Sequence, residues 1–222
     1  MLNVRRPIQT PPSPRPNRRG FLAGAGAIVV AFRLDAGPAR AAGLDPAGIK
    51  ADPNAFVRIG ADDTVTVVIK HLDMGQGNTT GLATILADEL GADWSRVRTE
   101  FAPADAARYA NLLMGPIQGT GGSTAVANSW VQLRKAGAAA REMLVAAASF
   151  QWRVPVAEIT VADGIVRHAA SNRQARFGEL AASAATLPVP AEPRLKDPSE
   201  WTLIGKKVSR LDSTAKTDGS AV

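Results

Sequence analysis

The sequence contains no cysteine and only two histidines among its 222 residues. The absence of thiols excludes disulfides, thiolate zinc sites, cysteine-ligated iron–sulfur clusters and cysteine nucleophiles from this chain. Two histidines are too few for a histidine-rich metal site, and they form no convincing Ser–His–Asp arrangement. We expect His71 to be an ordinary residue at the end of a strand and His168 to lie on the surface of a hairpin.

Aromatic residues are scarce as well, at 5%, although hydrophobic residues make up 45% of the chain. This balance predicts a core in which small residues let helices pack closely on a sheet. Such a core does not depend on a few bulky aromatic side chains. The sequence also has no Gly-Lys-Ser or Gly-Lys-Thr, which excludes a P-loop nucleotide site.

Excess basic charge is confined to the N-terminal segment. The formal net charge is +6, and residues 1–41 contain seven arginines and one aspartate, so residues 42–222 carry 19 basic and 19 acidic side chains. A neutral body has no basic stripe to neutralise a run of phosphates, so we expect no nucleic-acid partner.

The segment Asn17–Phe32, NRRGFLAGAGAIVVAF, places paired arginines and Phe-Leu before an apolar stretch, and Ala39-Arg40-Ala41 follows with small residues suited to a signal peptidase. This order predicts a twin-arginine signal peptide over residues 1–41, helical or disordered, with cleavage after Ala41 and a periplasmic or membrane-associated product. The apolar stretch is shorter than the roughly 20 residues that span a bilayer. The alternatives are an uncleaved leader and a basic tail beside a buried helix. Because the pathway exports folded proteins, often with an inserted cofactor, the leader favours a buried cofactor.

The first half of the remaining chain predicts strands and one helix. Residues 42–54 are polar with Pro and Gly, which is typical of a connector. AFVRIG and DTVTVVIK predict a β-hairpin, and SRVRTEF predicts a further strand. Between them, an apolar helical face predicts a helix from Thr79 to about Leu90, capped by Thr79 or Thr80 and ended by Gly91.

The second half predicts a longer helix. We expect Asp88 and Glu89 to be solvated charges on the polar side of the first helix. Residues 102–119 are irregular, and a loop of this length usually carries function or is disordered. A helix of small residues is then predicted over 124–152, followed by two short strands around the turn at 163–164 and a short helix in FGELAASAAT.

These elements predict an α+β fold in which a small mixed sheet is packed by helices, preceded by the export signal. We expect residues 55–185 to form the first part of a domain and residues 186–200, which contain four prolines, to be a linker. Residues 201–222 are then expected to begin a further domain that this chain truncates.

Two glycine-rich loops each precede a predicted helix: MGQGNTTG (Met74–Gly81) and GTGGST (Gly119–Thr124). Glycine permits positive φ angles and close approach of a ligand to the backbone, and a helix N-terminus adds unpaired N–H groups and a positive dipole end. The repeated layout predicts a phosphate site. The alternative for either loop is a tight turn with a hydroxyl cap.

A Rossmann dinucleotide site is a further alternative, because GQGNTTG gives G-x-G-x-x-x-G and Glu100 ends the next strand near the position of a ribose-binding acid. The glycine spacing departs from G-x-G-x-x-G, however, and an irregular loop follows in place of regular βα units. These differences disfavour it.

The stretch from His71 to Ala148, which contains both loops, resembles the molybdenum-binding large subunit of the xanthine dehydrogenase/aldehyde oxidoreductase superfamily. The similar subgroup is the twin-arginine-exported one that includes the isoquinoline 1-oxidoreductase β subunit and membrane-bound aldehyde dehydrogenases. The resemblance extends from about Phe56 to the end of the chain and includes FGELA, LKDPSEWTLIGK and RLDSTAKTDGSA.

The resemblance implies a molybdopterin-binding domain whose cofactor is the cytosine dinucleotide form with molybdenum. Both loops would contribute to the cofactor site, and the residues implied are Gly75, Gln76, Gly77, Thr120, Gly121, Gly122, Ser123 and Thr124. The first three would contact the cofactor, and the others would donate hydrogen bonds to its phosphate. No residue of this chain is implied as a metal ligand.

The resemblance further implies an oxidoreductase that hydroxylates an aldehyde or N-heteroaromatic carbon with water-derived oxygen. Electrons would leave through [2Fe-2S] clusters on a separate small subunit and pass to an acceptor such as a c-type cytochrome. The family's catalytic glutamate lies in a Gly-x-Gly-Glu motif, which this sequence lacks. We therefore expect a fragment without catalytic residues that is inactive alone. The alternative hypothesis is a non-catalytic exported binding domain with anion-binding loops.

Overall fold

The computed structural model of the protein describes residues 53–221. The predicted signal peptide over residues 1–41 and most of the predicted connector over 42–54 lie outside this range. Within it, helices pack around two small sheets, which is the predicted α+β class. None of the helices in this range combines enough length and apolarity to cross a bilayer.

The strands form two separate three-stranded sheets. The strands are β1 (Val57–Ile59), β2 (Val65–Ile69), β3 (Val97–Phe101), β4 (Ile159–Ala162), β5 (Ile165–His168) and β6 (Arg173–Arg176). In the first sheet β2 pairs antiparallel with β1 and parallel with β3, so it is mixed, and its β1–β2 hairpin is confirmed. The second sheet is an antiparallel meander in the order β4-β5-β6.

Six α-helices complete the regular structure of the described chain. They are α1 (Pro53–Phe56), α2 (Asn78–Leu90), α3 (Ala106–Tyr109), α4 (Ala125–Trp152), α5 (Phe177–Ala184) and α6 (Ser213–Asp218). Helix α2 connects β2 to the parallel strand β3, as such a crossover requires. It ends at Gly91, as predicted, because this glycine adopts the left-handed conformation. Helices α2 and α4 begin at the two glycine-rich loops, so their packing sets the distance between those loops.

The contact between α2 and α4 is unusually close at Gly137. A Cβ atom at this position would lie 2.5 Å from the Leu86 carbonyl oxygen and 2.9 Å from the Glu89 Cβ. The small residues of α4 were predicted to allow close packing on a sheet. Their closest approach is instead to α2, although α4 also contacts β1 and β4.

Asp88 and Glu89 are both fully buried, so the prediction that they are solvated is wrong. The segment after α5, which contains the predicted linker, returns over this side of α2. The Lys196 N–H donates to Glu89 Oε2 at 3.0 Å, and the Ile204 N–H donates to Asp88 Oδ2 at 2.8 Å. Assignment of residues 201–222 to a separate domain stays a prediction.

His168 is also buried, with 4% of its surface exposed, and the prediction of a surface position is wrong. Alternate residues of β5 face the interior, which places Val166 and His168 on the covered side. The ring remains satisfied there, because its nitrogens lie 2.8 Å from Glu158 Oε2 and 2.7 Å from Ser171 Oγ.

Candidate cofactor-binding site

The structure brings the two glycine-rich loops to a single open cleft of about 520 Å³. One wall comes from the first loop and the other from the second loop and the start of α4. The lining residues are Met74, Gln76, Asn78, Thr120, Gly121, Ser123, Thr124, Ala125 and Val126. The loops are some 40 residues apart in sequence, and the packing of α2 against α4 brings them together. The assignment of individual ligand contacts stays a prediction.

The first loop is organised around the side chain of Asp73, which sequence reasoning missed. Its carboxylate accepts hydrogen bonds from the backbone N–H groups of Gly75 at 2.8 Å, Gly77 at 3.2 Å and Thr79 at 2.9 Å. Burial raises the pKa of Asp73, but the bonds from Thr79, Gly75 and Gly77 outweigh it and hold that pKa below its usual value. These N–H groups are therefore occupied by a carboxylate of the chain itself.

This arrangement corrects one sequence-based expectation, the cap of α2. The start of α2 has no side-chain cap from Thr79 or Thr80; the helix follows Gly77, and Asp73 caps it from outside. Asp73 occupies three N–H groups of the first loop, whereas no hydrogen bond among residues 53–221 uses the N–H groups of Gln76, Asn78 or Thr80. The signal that could have shown this is the spacing Asp-x-Gly-x-Gly-x-Thr, because an Asp side chain readily bonds to backbone N–H groups a few residues ahead.

Gln76 closes the same loop while facing the cleft. Its Oε1 accepts from the Met74 N–H at 2.6 Å, and its Nε2 donates to the Leu72 carbonyl at 3.0 Å. A primary amide has two acceptor lone pairs and two donor hydrogens. Gln76 therefore keeps one acceptor and one donor position for a ligand in the cleft.

A distant part of the chain braces the first loop. Arg210 donates to the Gly75 carbonyl at 3.1 Å and lies 3.9 Å from the Asp73 carboxylate. Arg210 is held by a two-pronged bond to Asp212, with distances of 2.8 and 2.7 Å. Hydrogen bonds from Arg210 and Lys216 lower the pKa of Asp212, which keeps it ionised for this role. No local sequence signal links Arg210 to a loop 135 residues earlier.

Within residues 53–221, the second loop and the start of its helix have more free backbone N–H groups than the first loop. Gly122 and Ser123 both adopt positive φ angles, 57° and 55°. Among residues 53–221, no hydrogen bond uses the backbone N–H groups of 121–123 or of 125–127. The last three are the unpaired donors expected at the start of a helix, and α4 adds its positive dipole end. Such a set of donors is suited to an anion.

The hydroxyl of Thr124 supports the second loop from within. It donates to the Gly121 carbonyl at 2.8 Å and accepts from Asn111 Nδ2 at 2.8 Å. Asn111 is fully buried and also donates to the Gly119 carbonyl at 3.0 Å. Thr124 was predicted to donate to a ligand, and its hydroxyl proton is instead used inside the loop. Asn111 comes from the irregular segment 102–119, which thereby supports the second loop.

A buried polar cluster lies behind both loops. It contains Lys70 and His71 at the end of β2 and Asn128 on α4, each 5% exposed or less. Lys70 Nζ donates to Gln132 Oε1 at 2.7 Å and to the Ala110 carbonyl at 3.1 Å. His71 was expected to be an ordinary strand-end residue. It is instead enclosed between the loops, and burial, followed by the charge of Lys70, lowers its pKa.

Lys70 should make stability depend on pH. Burial lowers its pKa to about 7, well below the value of about 10.4 in an unfolded chain. Between these values the unfolded state binds more protons, so the free energy of unfolding should rise with pH through this window and be flat below it. Denaturant titrations at about pH 7 and about pH 9.5 measure this rise. Between these pH values, the free energy of unfolding of the native protein should increase by at most about 3 kcal/mol more than that of Lys70→Met.

The matched control is the exposed Lys207→Met, which should keep the pH dependence of the native protein. An identical pH dependence in the Lys70→Met variant would contradict the assignment.

Within residues 53–221, no group of three or more His, Cys, Asp or Glu side chains is placed to hold a metal ion. The donors of the cleft are backbone N–H groups, an amide and hydroxyls. These groups recognise the phosphate and polar edges of an organic ligand rather than a bare cation.

Sequence comparisons identify proteins that this chain is similar to. The chain is 34% identical to isoquinoline 1-oxidoreductase subunit beta of Brevundimonas diminuta, over 95% of this chain and 32% of that protein. It is also 34% identical to a membrane-bound aldehyde dehydrogenase (pyrroloquinoline-quinone) of Gluconacetobacter polyoxogenes, over 93% of this chain and 27% of that protein. The chain thus spans about a third or less of the length of these relatives.

A solved structure, quinoline 2-oxidoreductase from Pseudomonas putida 86, is similar with a TM-score of 0.45 and 27% identity, covering 60% of this chain and 16% of that one. The model of the molybdopterin cofactor-binding domain family matches residues 12–219, which include both loops, the polar cluster and the Arg210 brace. The chain therefore belongs to the molybdopterin cofactor-binding domain family.

Proposed function

We propose that this chain forms one wall of the cofactor site in the large subunit of a molybdenum hydroxylase. The observation that carries the proposal is the second loop, whose free N–H groups at 121–123 and 125–127 face a cleft shared with Gln76. A loop of this kind binds a phosphate-bearing cofactor through donors that the fold has already oriented.

The residues present fit the proposed cofactor. The polar lining of the cleft suits a phosphate, while Met74 and Val126, which are 81% and 47% exposed, add apolar surface to the same lining. Gln76 is placed to exchange hydrogen bonds with the pterin part, and the Gly121–Ser123 backbone to donate to the phosphate. The cytosine dinucleotide form is the one that we propose. When bound, the molybdenum group supplies the redox chemistry.

The proposed reaction is oxidation of an aldehyde or N-heteroaromatic carbon with oxygen derived from water. In it, the residues of this chain bind and orient the cofactor, and the Arg210 brace and the buried polar cluster hold the two loops apart at a fixed distance. Electrons would pass to a separate iron–sulfur subunit, with a c-type cytochrome as the proposed acceptor. The absence of cysteine is consistent with clusters placed on another chain.

The extent and location of the whole protein also belong to the proposal. Because the chain spans 32% of the isoquinoline 1-oxidoreductase relative, and because it lacks Gly-x-Gly-Glu, we propose that it is inactive alone. The arginine pair at Arg18 and Arg19 and the apolar stretch after it support export by the twin-arginine pathway to the periplasm or membrane surface.

The proposal is tested on the full-length protein, produced in a host that makes the molybdenum cofactor. We expect about one molybdenum per large subunit and release of a cytosine nucleotide on acid treatment. The exported protein should begin at Ala42. A folded, exported protein without molybdenum would contradict the enzyme and favour the alternative of an anion-binding module. A start before Gly20 would contradict the cleavage.

A further inference from the structure

His71 and Thr120 connect the two loops through one set of hydrogen bonds. Thr120 Oγ1 accepts from the Leu72 N–H at 2.9 Å, which joins the first loop to the second. His71 Nδ1 lies 3.3 Å from the same oxygen. His71 is 1% exposed, so its contacts are made with groups of the protein.

The other ring nitrogen of His71 determines which tautomer is present. Nε2 lies 2.9 Å from Asn128 Nδ2. The orientation of the Asn128 amide is set by its helix, because Nδ2 also lies 2.7 Å from the Thr124 carbonyl and 3.2 Å from the Ala125 carbonyl. These two carbonyls share one of its two hydrogens, and the second hydrogen is directed at His71. An amide oxygen in that position would face two carbonyl oxygens. Nε2 of His71 must therefore accept, and the ring proton resides on Nδ1.

This tautomer fixes the role of the Thr120 hydroxyl. A hydroxyl has one hydrogen to donate and two lone pairs. The Leu72 N–H and the His71 Nδ1–H occupy both lone pairs, so the hydroxyl hydrogen is the only group left to interact elsewhere. Thr120 lines the cleft beside Gly121 and Ser123, whose N–H groups are also free donors.

We propose that His71 is a positioning residue that Asn128 holds as the Nδ1–H tautomer, so that the Thr120 hydroxyl is committed as a hydrogen-bond donor to an anionic group in the cleft. The identity of that anion as the phosphate of the molybdenum cofactor rests on the proposed function. The tautomer of His71 and the direction of the Thr120 hydroxyl bond are independent of the proposed function.

The neutral ring is important for this arrangement. A doubly protonated His71 would direct an N–H at Asn128 Nδ2, which is itself a donor, and would break the link to α4. Burial, followed by the charge of Lys70, lowers the pKa of His71 and outweighs the hydrogen bonds with Asn128 and the Gly119 backbone, which raise it. The network therefore presents one set of donors to the cleft at neutral pH.

The first test is nitrogen NMR of the 222-residue chain labelled at its two histidines. The signals of His71 are those that disappear in His71→Asn. We expect a protonated Nδ1 and an unprotonated Nε2 at neutral pH. A proton on Nε2, or on both nitrogens, would overturn the inference. Because this measurement needs no cofactor, its result is independent of whether the proposed function holds.

The second test is a double-mutant cycle in the full-length protein, with retained molybdenum as the readout after dialysis. Thr120→Val and His71→Leu should each weaken retention by about 10- to 100-fold, the loss expected for one hydrogen bond to a charged group. The double variant should lose no more than either single variant, since His71 acts through the Thr120 hydroxyl that the other substitution removes. Thr120→Ser and His71→Asn, which keep a hydroxyl and a donor near Nδ1, should retain the cofactor.

Additive losses in the double variant would show that His71 acts on stability independently of Thr120, and would overturn the inference. A chain with the expected tautomer but no molybdenum in the native full-length protein would leave the His71–Thr120 arrangement in place and contradict the proposed function alone.

Discussion

A Gly122→Val variant of the full-length protein is expected to lose its bound molybdenum cofactor almost completely. Gly122 has a φ angle of +57°, which a β-branched residue adopts only with considerable strain. The adjacent Ser123 already has a positive φ of 55°. Relaxation of this pair would turn the N–H groups of the second loop away from the cleft.

The size of the effect follows from the number of donors involved. Each hydrogen bond to a charged group contributes about 1.5–3 kcal/mol. Each loss of about 1.4 kcal/mol of binding free energy lowers the affinity tenfold. Loss of two donors therefore predicts a decrease of at least about 100-fold. Molybdenum and nucleotide analysis of the purified protein measures it directly, and circular dichroism checks that the variant is folded.

Two further variants separate loss of the site from loss of the fold. A Cβ atom at Gly121 would have no neighbour within 4 Å, although Gly121 lines the cleft. Gly121→Ala should therefore leave stability nearly unchanged and still reduce retention. Gly219→Val introduces the same strain, at a φ of +80° and with open space around it, outside the cleft lining. It should retain the cofactor. Full retention in Gly122→Val would refute the assignment of the second loop.

Glu89→Ala is expected to destabilise the chain by about 3–5 kcal/mol, the range for removing one partner of a buried charge pair. The Glu89 side chain is fully buried between two arginines. Arg134 Nε donates to Oε1 at 2.5 Å, and Arg141 Nη1 lies 3.5 Å from Oε2. The two guanidinium side chains are only 13% and 11% exposed. Without the carboxylate, two cationic groups would share a poorly solvated space.

The same carboxylate connects the core to the site. Oε2 accepts from the Lys196 N–H at 3.0 Å, and Arg134 is further enclosed by Trp130 and Trp201, whose ring centres lie 5.3 and 5.4 Å from the guanidinium carbon. Loss of Glu89 should therefore loosen the segment that leads to Arg210. We expect trypsin to cleave at Arg194 and Lys196 sooner in the variant, before global unfolding.

The control is Glu100→Ala. Glu100 also pairs with an arginine, Arg58, but the two side chains are 45% and 41% exposed. Exposed pairs of this kind contribute about 0–1 kcal/mol. Chemical denaturation should therefore separate the two variants clearly. Equal losses of stability would show that the burial of Glu89 has no energetic consequence.

Periodicity and turn chemistry were sufficient for most of the secondary structure. The hairpin of β1 and β2, the long helix α4 and the left-handed end of α2 at Gly91 were all predicted, because each depends on neighbours within a few residues. The two loops were also found in this way, since Gly-rich sequence before an apolar helix is a local signal.

The environment of charged side chains was not predictable in the same way. Asp88 and Glu89 occupy the side of α2 that a local pattern assigns to solvent. They are buried because a segment more than 100 residues later returns over them and donates backbone N–H groups. A helix has no means of signalling in its own sequence that a distant part of the chain will cover its polar face.

The sequence by itself determined the α+β class, the glycine-rich loops and the resemblance that family membership confirmed, because these depend on residue identity and local spacing. Only the tertiary structure decided which N–H groups of each loop already have partners. In the first loop Asp73 occupies those of Gly75, Gly77 and Thr79, whereas in the second loop those of 121–123 remain free, and His71 and Asn128 orient the Thr120 hydroxyl beside them. That difference depends on which donors already have partners, and hydrogen-bond partners are chosen in three dimensions.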